Sequence, residues 1–375
     1  MKSAPTFLGG LIARILLSLT GEGRRTGLTV ALLYGMTLVA GSSELFAQNA
    51  ESTNLEGGRH SDGQVATYKI KSTFADTETC DYKTRGIFIV WWDKRFDYSQ
   101  QAGETLDTLM EIRKECVETC HMAEPPNPQA GFYYNVYLHN GRDLFKGYKW
   151  GMGQGTDQNR YPYLTIPIDH AKTGSRGLYH EGLHIFQYKA TSPLYTYSGD
   201  GKWIIEASAD WYAARKCPGA NSFVTLGTVT ANPQLPLWYT DENREAGDGH
   251  LWQRFCHLYA MSGYLYYLTE VRKVSPEVIL GGFYANTKEL PQEYLYHQVG
   301  SEKFAGYFAD NAAHNVCGYP LFPAGVEERA AKELEQYGTP DDFHAVVRSY
   351  TNAGTGGDWI RPSKDYVTRG WSYNL

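Results

Sequence analysis

His180-Glu181-Gly182-Leu183-His184, within Ser175-Arg-Gly-Leu-Tyr-His-Glu-Gly-Leu-His-Ile-Phe-Gln187, is the stretch from which this chain is read. Leu178, Leu183, Ile185 and Phe186 give the segment a buried side at helical spacing. Ser175 can cap its start and Pro193 lies just past its end, so the pattern predicts a helix over 176–189. Residues four apart share a helix face. His180 and His184 can then aim two imidazoles at one metal ion. Glu181 sits one step round, able to reach a water beside the metal without ligating it.

A tetrahedral zinc site that keeps one position open needs three protein ligands. A second helical stretch, 203–215, contains Trp203-Ile-Ile-Glu206-Ala-Ser-Ala-Asp210 and stops at Cys217-Pro218-Gly219. Glu206 follows Ile204 and Ile205 and precedes Ala207, Ala209 and Trp211. A carboxylate in such company is costly unless it is paired or metal-bound, so Glu206 is the expected third ligand. Asp210, one turn on, is expected to accept the spare ring N–H of a ligand histidine and fix its tautomer. Zn2+ is the expected cofactor and Glu181 the expected general base. For a donor to the developing oxyanion the sequence offers Tyr239, His250 and Tyr212. His250, in Asp248-Gly-His250-Leu-Trp, also reads as an ordinary helix-start residue. The acidic run from Asp241 to Asp248 lacks the spacing of a calcium loop and reads as solvated.

These residues resemble the gluzincin branch of the zincin metallopeptidases, in which HExxH is followed by a helix carrying Glu-x-x-x-Asp. The strings ending at Gln187 and running from Ile205 to Tyr212 look closer still to basic secretory proteins and a related group of bacterial secreted zincin-like domains. The close match covers about 178–212. A looser one extends over 87–316, where Phe308-Ala-Asp-Asn-Ala-Ala-His314-Asn-Val fits the second group. The resemblance implies zinc ligands His180, His184 and Glu206, base Glu181, supporting Asp210, and a peptide or protein substrate. This chain is acidic, so nothing about substrate charge carries over.

The formal charge is −6 and lysine and arginine are scattered, which excludes a basic nucleic-acid-binding face. Arg24 and Arg25 precede an apolar run at 28–40, then small residues and Ala47, the layout of an export signal over 1–47. An earlier apolar run, 7–19, is interrupted by Arg14. Both runs are shorter than the roughly 20 residues that span a bilayer, so no stable membrane insertion is expected after cleavage. A secreted, periplasmic or cell-surface location follows. The six cysteines, Cys80, Cys116, Cys120, Cys217, Cys256 and Cys317, all lie beyond the leader, and an even count in an exported chain predicts disulfides.

Residues 48–63 read as a flexible polar arm. Strands are expected at 66–71, 86–92, 132–139 and 163–168, with an amphipathic helix over 104–122. Helices follow at 176–189, 203–215, 248–270, 303–314, 325–337 and 341–350, and 351–375 reads as irregular but packed. Strands first and helices later is an α+β order. The expected architecture is a two-lobed zincin-like catalytic domain over 64–350, a sheet-containing lobe before a helical one. Tyr163-Leu-Thr-Ile-Pro-Ile168 is the expected edge strand for an extended substrate, because Pro167 suits an edge. Gly151-Met-Gly153-Gln-Gly155 reads as a loop. The reading is a secreted zinc peptidase. The alternatives are a zinc-containing glycan- or protein-binding surface protein without hydrolytic activity, and a zinc amidase acting on a non-protein substrate.

Overall fold

The computed structural model describes residues 53–55, 68–142, 152–219, 226, 237–238, 257–316 and 322–337. All of them lie in the unit Ser43–Leu375. The expected leader, the helix at 341–350 and the segment 351–375 lie outside the described residues, as do Tyr239, His250, Cys256, Cys317 and the acidic run at 241–248.

The frame is a mixed sheet of five strands: β3 (Cys80–Arg85), β4 (Phe88–Asp93), β5 (Tyr134–His139), β6 (Gly153–Thr156) and β7 (Pro162–Pro167). Its order is β3-β4-β5-β7-β6. The inner pairs β4–β5 and β5–β7 are parallel, and the outer pairs β3–β4 and β6–β7 are antiparallel. Every residue of β4 and β5 is buried, as strands covered on both faces require. A separate two-stranded ladder pairs β1 (Thr53–Leu55) with β2 (Ile70–Ser72), so part of the expected flexible arm is a strand. With the helices below, the chain is α+β.

One sheet face carries Phe88, Val90, Trp92, Tyr134, Val136, Leu138, Leu164 and Ile166 into the main core. There it meets α1 (Ser99–Arg113), α2 (Arg176–Gln187) and α3 (Lys202–Lys216). The other face, with Ile89, Trp91 and Tyr137, closes against Ile70, Ala75 and Cys80. After α3 come α4 (Ser262–Tyr266), α5 (Pro276–Gly281), α6 (Pro291–Val299), α7 (Ser301–Val316) and α8 (Val326–Tyr337). The helix expected over 104–122 begins earlier, at Ser99, and its end is a π-helical turn, Lys114–Thr119.

The expected edge strand is not at the edge. β6 covers it, and β7 lies between β5 and β6. Pro167 is tolerated because it ends the strand, and Ile168 N makes the next bond, to His139 O. Gly153–Gly155 of the expected loop lie in β6, a strand because its backbone completes the ladder with β7.

No disulfide forms among the described residues. Cys116 and Cys120 lie in the main core and Cys80 in the cluster on the opposite sheet face, so the sheet separates them. Burial pushes the Cys80 thiol up to about 11 and the Cys120 thiol up to about 12. They pack as small apolar groups. The Cys217 thiol donates to Gly174 O at 3.2 Å.

Candidate metal centre

α2 is placed by its caps and by one glycine. Ser175 Oγ accepts from Leu178 N at 3.4 Å, as the sequence predicts. At the other end the Tyr284 hydroxyl donates to Phe186 O at 2.6 Å, satisfying a last-turn carbonyl. Between them a Cβ at Gly182 would run into Ile112 Cδ1 of α1. The glycine therefore lets α2 lie tightly on α1, which turns His180 and His184 towards α3.

α3 is buried from Trp203 to Ala214 and is held at both ends through its indoles. Trp203 Nε1 donates to Gln292 Oε1 of α6 at 3.0 Å, and Trp211 Nε1 donates to Thr269 Oγ1 at 2.9 Å. This fixes the rotation of the helix that presents Glu206 and Asp210.

His180, His184 and Glu206 converge as a group that can hold a metal ion. His180 Nε2 and His184 Nε2 are 3.2 Å apart, and Glu206 Oε2 lies 3.3 Å from the first and 3.5 Å from the second. Donors about 2.0–2.1 Å from a tetrahedral zinc stand about 3.3–3.4 Å from one another, so the triangle has the right size. The tautomers agree. His180 Nδ1 donates to Asp210 Oδ1 at 2.6 Å, and His184 Nδ1 donates to Gln187 Oε1 at 2.6 Å. Gln187 is oriented by its amide N–H groups, which reach Ser208 Oγ at 2.7 Å and Ile205 O at 3.4 Å. Neutral rings protonated at Nδ1 keep their lone pairs on Nε2, facing the carboxylate. Glu206 Oε2 is buried and has no hydrogen-bond partner. Two lone pairs and an anionic oxygen at this spacing repel one another unless positive charge lies among them, as a metal ion or as protons on the two rings. The residues fit the metal.

The field of the group is strong. Burial works against a charged His180, but the charge and hydrogen bond of Asp210, with Glu206, outweigh it and hold the imidazole up at about 10. His184 is raised in the same way by Glu206, again against burial. Burial alone would raise Glu206, yet the two histidines hold it well below the ordinary carboxylate range. Glu181 goes the other way. Burial raises its carboxyl, and the histidines offset this only in part. Its Oε2 has no hydrogen-bond partner.

The structure thus brings together His180, Glu181, His184, Glu206 and Asp210. It does not bring Tyr212 to them: that hydroxyl donates to Glu115 Oε2 at 3.0 Å, on the α1 side of α3. Tyr239 and His250 lie outside the described residues. Three participants escaped the sequence reading. Arg176 puts Nη2 2.6 Å from Asp210 Oδ1, the oxygen that also takes the His180 N–H. Its position four residues before His180 was the available signal. Gln187, three residues after His184, had the same kind of signal. Tyr197 had none, because it comes from the connection between the two helices. Its hydroxyl lies 3.5 Å from His184 Nδ1.

No model of a known protein family matches the chain, and no curated protein matches it. No helix among the described residues is long and apolar enough to cross a membrane.

Proposed function

We propose that the chain is a zinc-dependent hydrolase, and specifically a secreted peptidase of zincin-like, two-lobed build. The observation that carries this reading is the His180–His184–Glu206 triangle with buried Glu181 beside it on the same helix. A Zn2+ ion held there would acidify a water in its open position and polarise a carbonyl. Glu181 is suited to accept a proton at its unpartnered Oε2 and to return it to a leaving amine, since burial raises its proton affinity. Asp210 and Gln187 hold the two imidazoles in the tautomer that exposes Nε2. β6, the outermost strand on that side of the described sheet, replaces β7 as the strand with which an extended peptide would pair.

The test is cleavage of a peptide library by the zinc-loaded protein beside Glu181→Gln at equal zinc content. Cleavage by the wild type and its loss by several orders of magnitude in the variant is the expected result. Equal zinc in both with equal cleavage removes Glu181 from the mechanism. Zinc in both with no cleavage in either rejects the peptidase reading.

A further inference from the structure

The acceptors that fix the two imidazoles are each tied down in turn. Gln187, which takes the His184 Nδ1–H, donates its own amide N–H to Ser208 Oγ at 2.7 Å. Asp210, which takes the His180 Nδ1–H, meets Arg176, whose Nη2 stands 2.6 Å from the same oxygen, Oδ1. Arg176, His180 and His184 recur every four residues along one face of α2, and Glu206 and Asp210 do so along α3. Polar side chains therefore run without a break from Arg176 through Asp210, His180, Glu206 and His184 to Gln187.

Two features set Arg176 apart from a surface ion pair. The side chain of Asp210 is 4% exposed, against 26% for Arg176, and a buried carboxylate needs the compensation that an exposed one takes from water. Arg176 is also the first residue of α2, where the positive end of the helix dipole disfavours a cation. The dipole works against arginine there, and the contact that favours it lies across the gap, on α3. The next residue, Gly177, lets the first turn of α2 lie close on Met152, since a Cβ there would run into that side chain. A carboxylate held by His180 alone could turn about its own bond, and the imidazole would turn with it. With a second charged group on Oδ1, the oxygen keeps one direction and His180 Nε2 keeps its aim at Glu206. We propose that Arg176 is a positioning residue of the metal centre, acting through Asp210 to hold His180 as a ligand. This assignment rests on the zinc reading above.

Charge and position predict opposite signs. Acting on a metal ion only as a charge, Arg176 would repel it, and its removal would tighten binding. Acting by position, its removal weakens binding. Chelator competition on the full chain gives the zinc affinity of wild type, Arg176→Met, Asp210→Asn and the double variant. Arg176→Met is expected to lose about tenfold, the low end for outer partners of a metal ligand. In the Asp210→Asn background the same substitution is expected to cause no further loss. That pair leaves no buried carboxylate unpaired at position 210, so it decides the matter even where Arg176→Met alone fails to fold. Proton NMR of the zinc-loaded proteins supplies a second readout. The His180 Nδ1–H is expected to exchange with water faster in Arg176→Met, with the His184 Nδ1–H unchanged, whereas a general loosening of α2 would move both. Unchanged or tighter zinc binding in Arg176→Met overturns the positioning role and leaves the metal centre standing. A loss that persists in the Asp210→Asn background, or an equal change at both histidines, overturns the route through Asp210. A wild-type chain that takes up no zinc rejects the metal reading itself, and the positioning role with it.

Discussion

Gly182→Ala tests the placement of the metal-binding helix directly. A Cβ at 182 meets Ile112 Cδ1 head-on and stands 3.3 Å from Leu109 Cδ2. Overpacking of this kind costs about 1–3 kcal/mol. Alanine offsets about 1 kcal/mol of that through its higher helix propensity. The net expectation is a loss near 1 kcal/mol, reaching about 2. Ile112→Val deletes the clashing Cδ1 and alone costs about 0.5–1.5 kcal/mol. If the two effects were independent, the double variant would lose about 2 kcal/mol. In the structure, however, the new methyl occupies the space that Cδ1 vacates. The double variant should therefore lie within about 0.5 kcal/mol of wild type, a favourable coupling of about 1.5 kcal/mol. Urea unfolding of the four proteins without metal gives the cycle. Zinc affinity should follow the same pattern, weakened in Gly182→Ala and restored in the double variant. Additivity within about 0.5 kcal/mol would refute the close packing of α2 on α1.

Three further outcomes are expected. Asp210→Ala removes the acceptor shared by His180 and Arg176 and should weaken zinc binding about 10–100-fold, measured by chelator competition. Affinity within threefold of wild type would show that Asp210 does not support the centre. Gln187→Leu should weaken zinc binding less, about tenfold, because the lost acceptor is neutral. The third concerns His257, whose burial lowers its pKa from 6.5 to about 3. Between those values the unfolded chain binds a proton that the native chain does not, so stability from this group is full above pH 6.5 and falls with pH. At pH 5 the loss is about 2 kcal/mol. Urea unfolding of wild type and His257→Gln at pH 7 and 5 should show the wild type losing about that much more, and equal losses would place His257 in solvent.

The centre was legible because its signals are local. The histidine spacing, the Ser175 cap and the carboxylate set among Ile204, Ile205 and Ala207 all lie within one or two helical turns. The partners that complete it act across helices. Arg176 matters only because α3 delivers Asp210 to it, and Tyr197 only because the connection folds back over His184. In the sheet, the continuous apolar run of β4 was readable. β6 was not, because Gly-Gln-Gly-Thr has no apolar alternation and becomes a strand only by pairing with β7. β3 was missed because its pattern is mostly polar, with four of its six residues only partly buried or exposed. Counting cysteines predicted disulfides, but pairing depends on which side of the sheet each thiol occupies, and parity carries no such information.

The two indole bonds of α3 have a consequence for the order in which the molecule is completed. His180, His184 and Glu206 leave the ribosome early, but Thr269 and Gln292, which fix the orientation of α3, emerge well after them. Until then the third donor has no fixed direction. A growing chain would therefore offer a metal only a loose two-imidazole chelate, with the third donor set when α6 has docked. A metal taken up at this group would be taken up late in the life of the polypeptide, after the helices beyond the centre have found their places.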